Sequence, residues 1–240
     1  MPIENVAIIL VGTKYSGNIG SAARAMFNMG LRHLILADPK CAVNDESYRL
    51  AKRGNSILDS ARTCRSLKSA IRGIHLLVGT TGKSGGYRSQ VYAPRSLAQQ
   101  ILSHAVRQKV GILFGPEDTG LIDEDLQRCQ LLIRIPTQSR ASSLNLSQAV
   151  MVVCYELLLA GLKRDPVRVP RLASVEQVEA MYLQLERALL DIGFLHPQNA
   201  RHMMLTLRQM LGRAGLESAD VGIFRGIARQ IGWYARNKTG

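Results

Sequence analysis

The sequence lacks the features that mark membrane, secreted and metal-binding proteins. No apolar run approaches the roughly 18 residues that a membrane-spanning helix requires. The opening residues, MPIENVAIILVG, contain neither a basic segment nor a small-residue cleavage site, so we expect no signal peptide. The four cysteines are scattered, with no CxxC pair and no His at ligand spacing: Cys41, Cys64, Cys129 and Cys154. We therefore expect reduced thiols in a cytoplasmic protein, without a disulfide or a metal site.

Acidic residues are also scarce. The chain of 240 residues has 18 Asp and Glu against 31 Lys and Arg, which gives a formal net charge of +13. This imbalance predicts a polyanionic partner, with RNA, DNA and an anionic membrane as candidates. Between Arg49 and Arg72 seven basic residues face a single acid, Asp59. That local excess is larger than solubility requires, so we expect a phosphate-binding patch that includes Arg49, Lys52 and Arg53.

Apolar runs alternate with helical patterns over the first two thirds of the chain. The runs are Val6–Gly12, His33–Ala37, Ile74–Val78, Val110–Phe114 and Leu131–Ile135. A small-residue helix, SAARAMFNMG, follows the first run, and further helical patterns cover Asp45–Arg53, Arg95–Gln108 and Ile122–Cys129. The runs are apolar throughout and do not alternate in polarity, which is typical of strands buried on both faces. The pattern predicts an α/β fold with a parallel sheet covered by helices on both faces.

The composition changes near Lys163–Arg171, where KRDPVRVPR has the charge and the prolines of a linker. We expect one α/β domain at 1–165, a linker at about 163–173, and a small all-helical extension at 166–240. The extension shows three helical patterns. The first begins with Ser174 and Gln177 as a capping box, the second begins near Pro197, and the third spans Val221–Arg236.

Three segments follow strand ends, where ligands bind in open α/β sheets. They are a predicted turn at Gly17–Gly20 (GNIG) that leads to Arg24, the run GPEDTGL from Gly115, and Ile133–Val150. In the last segment Ser142 and Ser143 stand at a predicted helix start, and Asn145 falls in the first turn, where Asn is a poor helix former. Each polar residue also has a structural interpretation. Asn18 suits a turn, Glu117 suits a helix N-terminus, and Ser143 suits a cap.

Taken together, these motifs resemble those of the SPOUT-class (SpoU/TrmH-like) RNA 2′-O-ribose methyltransferases. The matching segments are Asn18-x-Gly20-x-x-x-Arg24, LFGPEDTGL at Leu113–Leu121, and IRIP with SSLNLSQA at Ile133–Ala149. The basic tail further resembles that of the TrmJ-type branch, which methylates nucleotide 32 of the tRNA anticodon loop. The resemblance implies S-adenosylmethionine as methyl donor, a homodimer, tRNA as partner and no membrane partner. It also implies that the domain at 1–165 is catalytic, with a trefoil knot in its carboxyl half, and that the extension at 166–240 binds RNA.

The resemblance also implies roles for individual residues. The donor pocket would use Thr80, Thr81, Gly82, Gly115, Ile135, Ser142, Ser143 and Leu144. The catalytic set would be Asn18, Arg24, Glu117, Ser143 and Asn145. Lys83 and Arg88 flank a glycine-rich loop that would close over RNA, although a surface loop explains them almost as well. Arg24 is either a base or a phosphate clamp, and we favour the clamp because a guanidinium stays protonated.

The leading hypothesis is therefore methylation of a ribose 2′-OH in tRNA, at nucleotide 32, with C, U or both accepted. A second hypothesis keeps this chemistry but moves it to another tRNA position or to ribosomal RNA. A third is an RNA-binding protein that has the fold without the activity. The basic charge does not separate these hypotheses, because attraction to phosphate is independent of sequence.

Overall fold

The protein is described here from a computed structural model, which covers residues 2–82, 91–138, 143–162 and 171–237. The chain divides into two compact units, Met1–Val169 and Pro170–Gly240. In the described ranges, no helix combines the length and the apolar character needed to cross a bilayer.

The first unit is built on a seven-stranded parallel sheet with the order β3-β2-β1-β6-β4-β7-β5. Its strands are β1 (Val6–Val11), β2 (His33–Ala37), β3 (Arg62–Cys64), β4 (Leu76–Thr80), β5 (Val91–Tyr92), β6 (Val110–Phe114) and β7 (Leu131–Ile133). Its helices are α1 (Ser16–Asn28), α2 (Asp45–Ala51), α3 (Asn55–Asp59), α4 (Leu67–Ala70), α5 (Pro94–Ala105), α6 (Asp123–Leu126) and α7 (Leu146–Leu162), with short 3-10 helices at Pro2–Asn5 and Lys52–Gly54.

The predicted α/β fold with a parallel sheet is confirmed. All five residues of β6 are buried, and so are the first five of the six in β1. Because alternate residues of a strand point to opposite faces, this continuous burial shows that both faces of the central sheet are covered. The core is formed by aliphatic side chains of these strands together with Phe114.

The sequence analysis missed both edge strands and misplaced several ends. β3 is mostly exposed and β5 has only two residues, so neither has an apolar pattern. The strand predicted at Ile74–Val78 lies at Leu76–Thr80, and β7 stops at Ile133. The helix predicted over Asp45–Arg53 ends at Ala51, and the one predicted over Ile122–Cys129 is only the four residues of α6.

The prediction of a turn at Gly17–Gly20 is wrong, because these residues form the first turns of α1. The glycine at position 20 serves helix packing instead. A Cβ at Gly20 would lie 2.1 Å from the backbone oxygen of Ser47 in α2, so only glycine lets the two helices approach this closely. The buried Ser47 hydroxyl then donates to the Ser16 carbonyl at 2.9 Å, which ties α2 to the start of α1.

The second unit is helical in its described part, with one isolated antiparallel bridge between Leu172 and Glu217. Its helices are α8 (Val175–Asp191), α9 (Ala200–Ala214) and α10 (Ser218–Asn237). The predicted capping box is confirmed, since Ser174 and Gln177 each accept a hydrogen bond from the other's backbone N–H. The second helix does not begin near Pro197, because Ala200 is its first residue and Asn199 precedes it.

Candidate active site

A chain of hydrogen bonds joins the three sequence motifs at the carboxyl edge of the sheet. Glu117, in the loop after β6, accepts a 2.8 Å hydrogen bond at Oε1 from Nδ2 of Asn18 in α1. Asn18 in turn accepts at Oδ1 from Nδ2 of Asn145, at 3.0 Å. We call Glu117, Asn18 and Asn145 the amide relay. Adjacent parallel strands β1 and β6 place the first two residues side by side, although 99 positions separate them in sequence.

Asn145 lies one residue before α7, and not inside its first turn as the sequence analysis predicted. Its carbonyl accepts the N–H of Ala149 at 3.0 Å, and its Oδ1 accepts the N–H of Ser147 at 2.9 Å. Both bonds belong to a helix N-cap, a position that Asn favours. Asn145 therefore caps α7 with its oxygen and contacts Asn18 with its nitrogen. Ser143, which we expected to cap the helix, lies two residues earlier and is exposed.

The Glu117 loop is held against the start of α1 by two further contacts. Oε2 of Glu117 accepts the backbone N–H of Lys14 at 3.1 Å, so both carboxylate oxygens are engaged. The Lys14 ammonium lies 2.6 Å from Asp118, and this hydrogen bond and charge raise the pKa of Lys14 and lower the pKa of Asp118. The pair is exposed, so we expect little stability from it. This ion pair joins the loop after β1, which contains Lys14, to the loop after β6, which contains Asp118.

The proposed donor residues follow three adjacent strands, β6, β4 and β7. The Thr80 hydroxyl donates to the Leu113 carbonyl at 2.8 Å, and the Thr81 N–H donates to the Ile133 carbonyl at 2.9 Å. These bonds fix the ends of the three strands to one another. Gly115 and Ile135 are half-buried at the same edge, whereas Gly82, Ser143 and Leu144 are exposed. Ser142 lies outside the described residues.

Gly115 allows the loop after β6 to fold back on itself. A Cβ there would lie 2.2 Å from the carbonyl carbon of Gly120, so any side chain would force this loop open. Gly120 itself has a φ of 67°, a conformation that favours glycine. Both glycines in GPEDTG therefore shape the loop that presents Glu117.

Arg24 does not join the amide relay. Its side chain is exposed, and its guanidinium forms no hydrogen bond or ion pair with any residue in the described ranges. Six residues separate it from Asn18, which places the two about 120° apart around α1. A Cβ at Gly54 would lie 3.0 Å from the Arg24 backbone nitrogen, so the 3-10 helix Lys52–Gly54 packs beside it. Arg24 thus borders the basic segment, where Arg49, Lys52 and Arg53 are all exposed. Lys83 and Arg88 lie outside the described residues.

The sequence analysis missed a cleft of about 580 Å³ beside the relay. It lies between the start of α1 and the residues leading into α2, and both Asn18 and Asn145 line it. Tyr15, which is 63% exposed, and Glu46, whose carboxylate accepts from the Ser16 hydroxyl, are further lining residues. Nothing in the spacing of these residues signals a shared cavity, because the approach of α1 to α2 creates it.

Comparison with known proteins assigns the two parts of the chain. Residues 5–155 match the model of the SpoU rRNA Methylase family, and residues 176–240 match the C-terminal domain of the tRNA methyltransferase TrmJ.

Full-length relatives agree with this assignment. The tRNA (cytidine/uridine/adenosine-2′-O-)-methyltransferase TrmJ of Pseudomonas aeruginosa is 35% identical, over 98% of this chain and 96% of that protein. The tRNA (cytidine/uridine-2′-O-)-methyltransferase TrmJ of Pectobacterium atrosepticum is 33% identical, over 95% and 97%. The crystal structure of TrmJ from Z. mobilis has a TM-score of 0.80 at 33% identity, over 94% of this chain and 98% of that one. The chain therefore belongs to the SpoU methylase family, in its TrmJ-type branch.

Proposed function

We propose that this protein transfers a methyl group from S-adenosylmethionine to a ribose 2′-OH of tRNA, at nucleotide 32 of the anticodon loop, with C, U or both as the target. The amide relay is the observation that carries the proposal, because it joins all three motifs at one cleft. The activities that the TrmJ relatives are named for support tRNA as the substrate. The choice of nucleotide 32 rests on the resemblance to the TrmJ-type branch.

The residues at the ends of β4, β6 and β7 fit the proposed donor. The residues expected to bind it offer backbone groups, threonine hydroxyls and the apolar side chains of Ile135 and Leu144. None of these residues is charged, although the neighbouring Arg134 and Glu117 are. Such a neutral wall suits a purine and a ribose, whereas a polyphosphate ligand would require basic groups or a run of free amides. When bound, the donor supplies an electrophilic methyl group. We assign its binding to Thr80–Gly82, Gly115, Ile135, Ser142, Ser143 and Leu144.

The amide relay would position the acceptor ribose and stabilise charge on its oxygen. Each Asn amide nitrogen has two N–H groups, and the relay uses one from Asn18 and one from Asn145. The second N–H of each amide would donate to the 2′-oxygen as negative charge develops there, in the manner of an oxyanion hole. Glu117 acts as a positioning residue, because both its oxygens are engaged in holding Asn18 and Lys14.

We propose no side-chain base for the hydroxyl proton. Both carboxylate oxygens of Glu117 accept hydrogen bonds, and the Arg24 guanidinium stays protonated. The proton would pass to water in the cleft as the oxygen–methyl bond forms and the bond between the methyl group and the donor's sulfur breaks, which would leave that sulfur neutral. Methyl transfer would then depend mainly on the alignment of oxygen and methyl group.

Arg24 lies on a different face of α1 from Asn18, so we propose that it acts on the site of a second protomer. This requires a homodimer, and it assigns to Arg24 the role of a clamp on the phosphate beside the target ribose. A mixed-dimer experiment tests the arrangement. Arg24→Ala and Asn145→Ser protomers, each inactive alone, should regain activity when mixed, since one site then has both residues. No recovery would overturn the shared site and leave Arg24 as part of the basic surface beside Lys52 and Arg53. We also propose a trefoil knot in the carboxyl half of the catalytic domain, on the ground of the family resemblance.

RNA binding would use the basic segment with Arg49, Lys52 and Arg53, the loop with Lys83 and Arg88, and the helical unit. We propose that the two compact units, Met1–Val169 and Pro170–Gly240, correspond to the catalytic domain predicted at 1–165 and the RNA-binding extension predicted at 166–240. Deleting 166–240 should weaken tRNA binding while donor binding is largely retained. Loss of donor binding as well would make the tail part of the catalytic fold.

The decisive experiment is methylation of total tRNA and total ribosomal RNA with labelled donor, followed by mapping of the modified nucleotide. We expect label at one ribose, nucleotide 32, in tRNA alone. Label elsewhere in tRNA or in ribosomal RNA would keep the chemistry and change the substrate. Absence of label in every RNA, with tRNA binding intact, would favour the non-catalytic RNA-binding protein.

A further inference from the structure

Helix α10 presents a basic and aromatic surface that the relay chemistry does not use. Arg225, Arg229, Trp233 and Arg236 are all exposed and follow one another at intervals of four, four and three residues. That spacing places them on one face of the helix. Arg229 and Arg236 lie about one helical turn, or ~5 Å, on either side of the indole. We refer to these four residues as the Trp233 face.

The packing of the helical unit does not explain this face. The buried side of α10 is formed by Val221 and Ala228, with Phe224 and Ile231 partly buried beside them. Trp233 lies away from these residues and is 55% exposed, a large cost for an indole that could pack in a core. Such an exposed aromatic side chain between basic residues indicates a binding surface.

The arginines are placed to bind an anion. Arg229 has no partner among the residues that the structure describes. Arg225 donates from Nε to Oε1 of Gln184 in α8, at 3.1 Å, which orients its guanidinium and leaves both Nη groups without a partner in the described ranges. Asp220 binds the Glu217 N–H in the first turn, and Asp191 approaches the helix near Gly232. The charge of the face therefore favours an anionic ligand.

We propose that the Trp233 face binds an unpaired stretch of the tRNA, with the indole stacked on one base and Arg225 and Arg229 on the flanking phosphates. This inference rests on the proposed function and adds a second contact site to it. Single-stranded RNA combines exposed base faces with phosphates, and proteins bind it with aromatic and arginine side chains. A duplex offers phosphates but keeps its bases stacked, so it would leave the indole exposed.

Trp233 is the only tryptophan of the chain, so its fluorescence reports on this face alone. We expect an unmodified tRNA transcript to quench that fluorescence and to protect the indole from acrylamide, with the full-length protein in both measurements. A blunt double-stranded RNA of equal length should bind through charge without either effect. Equal quenching by the duplex would overturn the stacking arrangement.

Two substitutions separate the base contact from the phosphate contact. Trp233→Ala should weaken tRNA binding about 5- to 150-fold, the equivalent of about 1–3 kcal/mol, with little change in the salt dependence. Trp233→Phe should retain most of the affinity. Arg229→Ala should lower the slope of log affinity against log salt by about one, as for one lost phosphate contact. An unchanged slope would overturn the role of Arg229.

Tyr234 provides the matched control, because it adjoins Trp233 in sequence and is similarly exposed, at 53%, but points to another side of α10. Tyr234→Ala should change tRNA affinity by no more than about twofold. Circular dichroism and thermal melting of all variants check that α10 remains folded. If the protein methylates tRNA but Trp233→Ala binds it as tightly as the unaltered chain, this inference fails and the proposed function stands. If no RNA is methylated while the indole is quenched, the proposed function fails and the binding face stands.

Discussion

Asn145 is the residue at which stability and activity can be separated. Its Oδ1 accepts from Ser147 and caps α7, while its Nδ2 donates to Asn18 in the amide relay. Asn145→Ser retains a capping oxygen, but its single O–H group sits on a shorter side chain and replaces the two N–H groups of the amide. Asn145→Ala removes both functions. The two variants should therefore lose the same activity and differ in stability.

The expected magnitudes follow from the two contacts. Loss of the cap in Asn145→Ala should cost about 0.5–2 kcal/mol of unfolding free energy, and Asn145→Ser should cost little of it. If Asn145 only orients Asn18, loss of one neutral hydrogen bond of about 0.5–1.5 kcal/mol lowers kcat about 2- to 13-fold. If its second N–H also donates to the ribose oxygen, the loss is about 10²- to 10³-fold. We expect the larger loss, because Asn145 lines the cleft directly.

The assay is kcat for methyl transfer at saturating tRNA and donor, with unfolding free energy measured by urea denaturation. Ser174→Ala is the control, since Ser174 caps α8 in the second unit and takes no part in the relay. It should lose stability without losing kcat. Full activity in Asn145→Ser, together with a stability loss in Asn145→Ala, would show that Asn145 is only a helix cap and would refute the relay.

Three further substitutions test other parts of the structure. Gly20→Ala would place a Cβ 2.1 Å from the Ser47 carbonyl and should lower the unfolding free energy by about 1–3 kcal/mol. Gly161→Ala is the control, because its Cβ would meet only Leu102 at 3.6 Å, and it should leave the unfolding free energy unchanged or slightly higher in the same thermal melts. Lys52 has a φ of 54° and a ψ of −116°, a backbone conformation that favours glycine, so Lys52→Gly should raise the unfolding free energy by about 1 kcal/mol. The same change should weaken tRNA binding in a filter assay, and unchanged binding would remove Lys52 from the proposed RNA surface. Burial lowers the pKa of His104 below 6.5, so the unfolded state binds the proton at a higher pH than the folded state. The unfolding free energy should therefore fall as the pH drops below 6.5, and His104→Gln should flatten that dependence in urea titrations. An equal dependence on pH in both proteins would contradict this.

The sequence predicts the central strands because they are apolar on both faces. β1, β2 and β6 carry this pattern, and it leaves little choice beyond a buried parallel sheet. The edge strand β3 is exposed and only three residues long, so its pairing with β2 depends on the neighbouring strand and not on its own residues. The hydrophobic periodicity of a strand likewise does not predict its neighbours in the sheet. The loops after β1 and β6 lie side by side because these two strands are adjacent.

Two site residues show where local rules fail. GNIG has the composition of a turn, yet it is helical, and its glycine at position 20 is required because the Ser47 carbonyl occupies the space that a side chain would need. Asn145 is unfavourable inside a helix, and the structure resolves this by starting α7 one residue later. In both cases the motif predicted the right neighbourhood, while the packing of a distant segment determined the conformation.

The first motif combines residues that a single protomer keeps apart. Asn18 and Arg24 are separated by about 120° around α1, and only Asn18 reaches Glu117 and Asn145. A helix is rigid over this length, so no local motion would bring the Arg24 side chain onto the Asn18 face. If both residues serve one reaction, the second must come from another copy of the chain, and α1 must then lie close to that copy. The mixed-dimer experiment therefore tests the first motif. Recovery of activity would mean that Asn18 and Arg24, six positions apart in α1, serve the active sites of two different protomers. Failure would leave Arg24 as part of the basic surface beside Lys52 and Arg53.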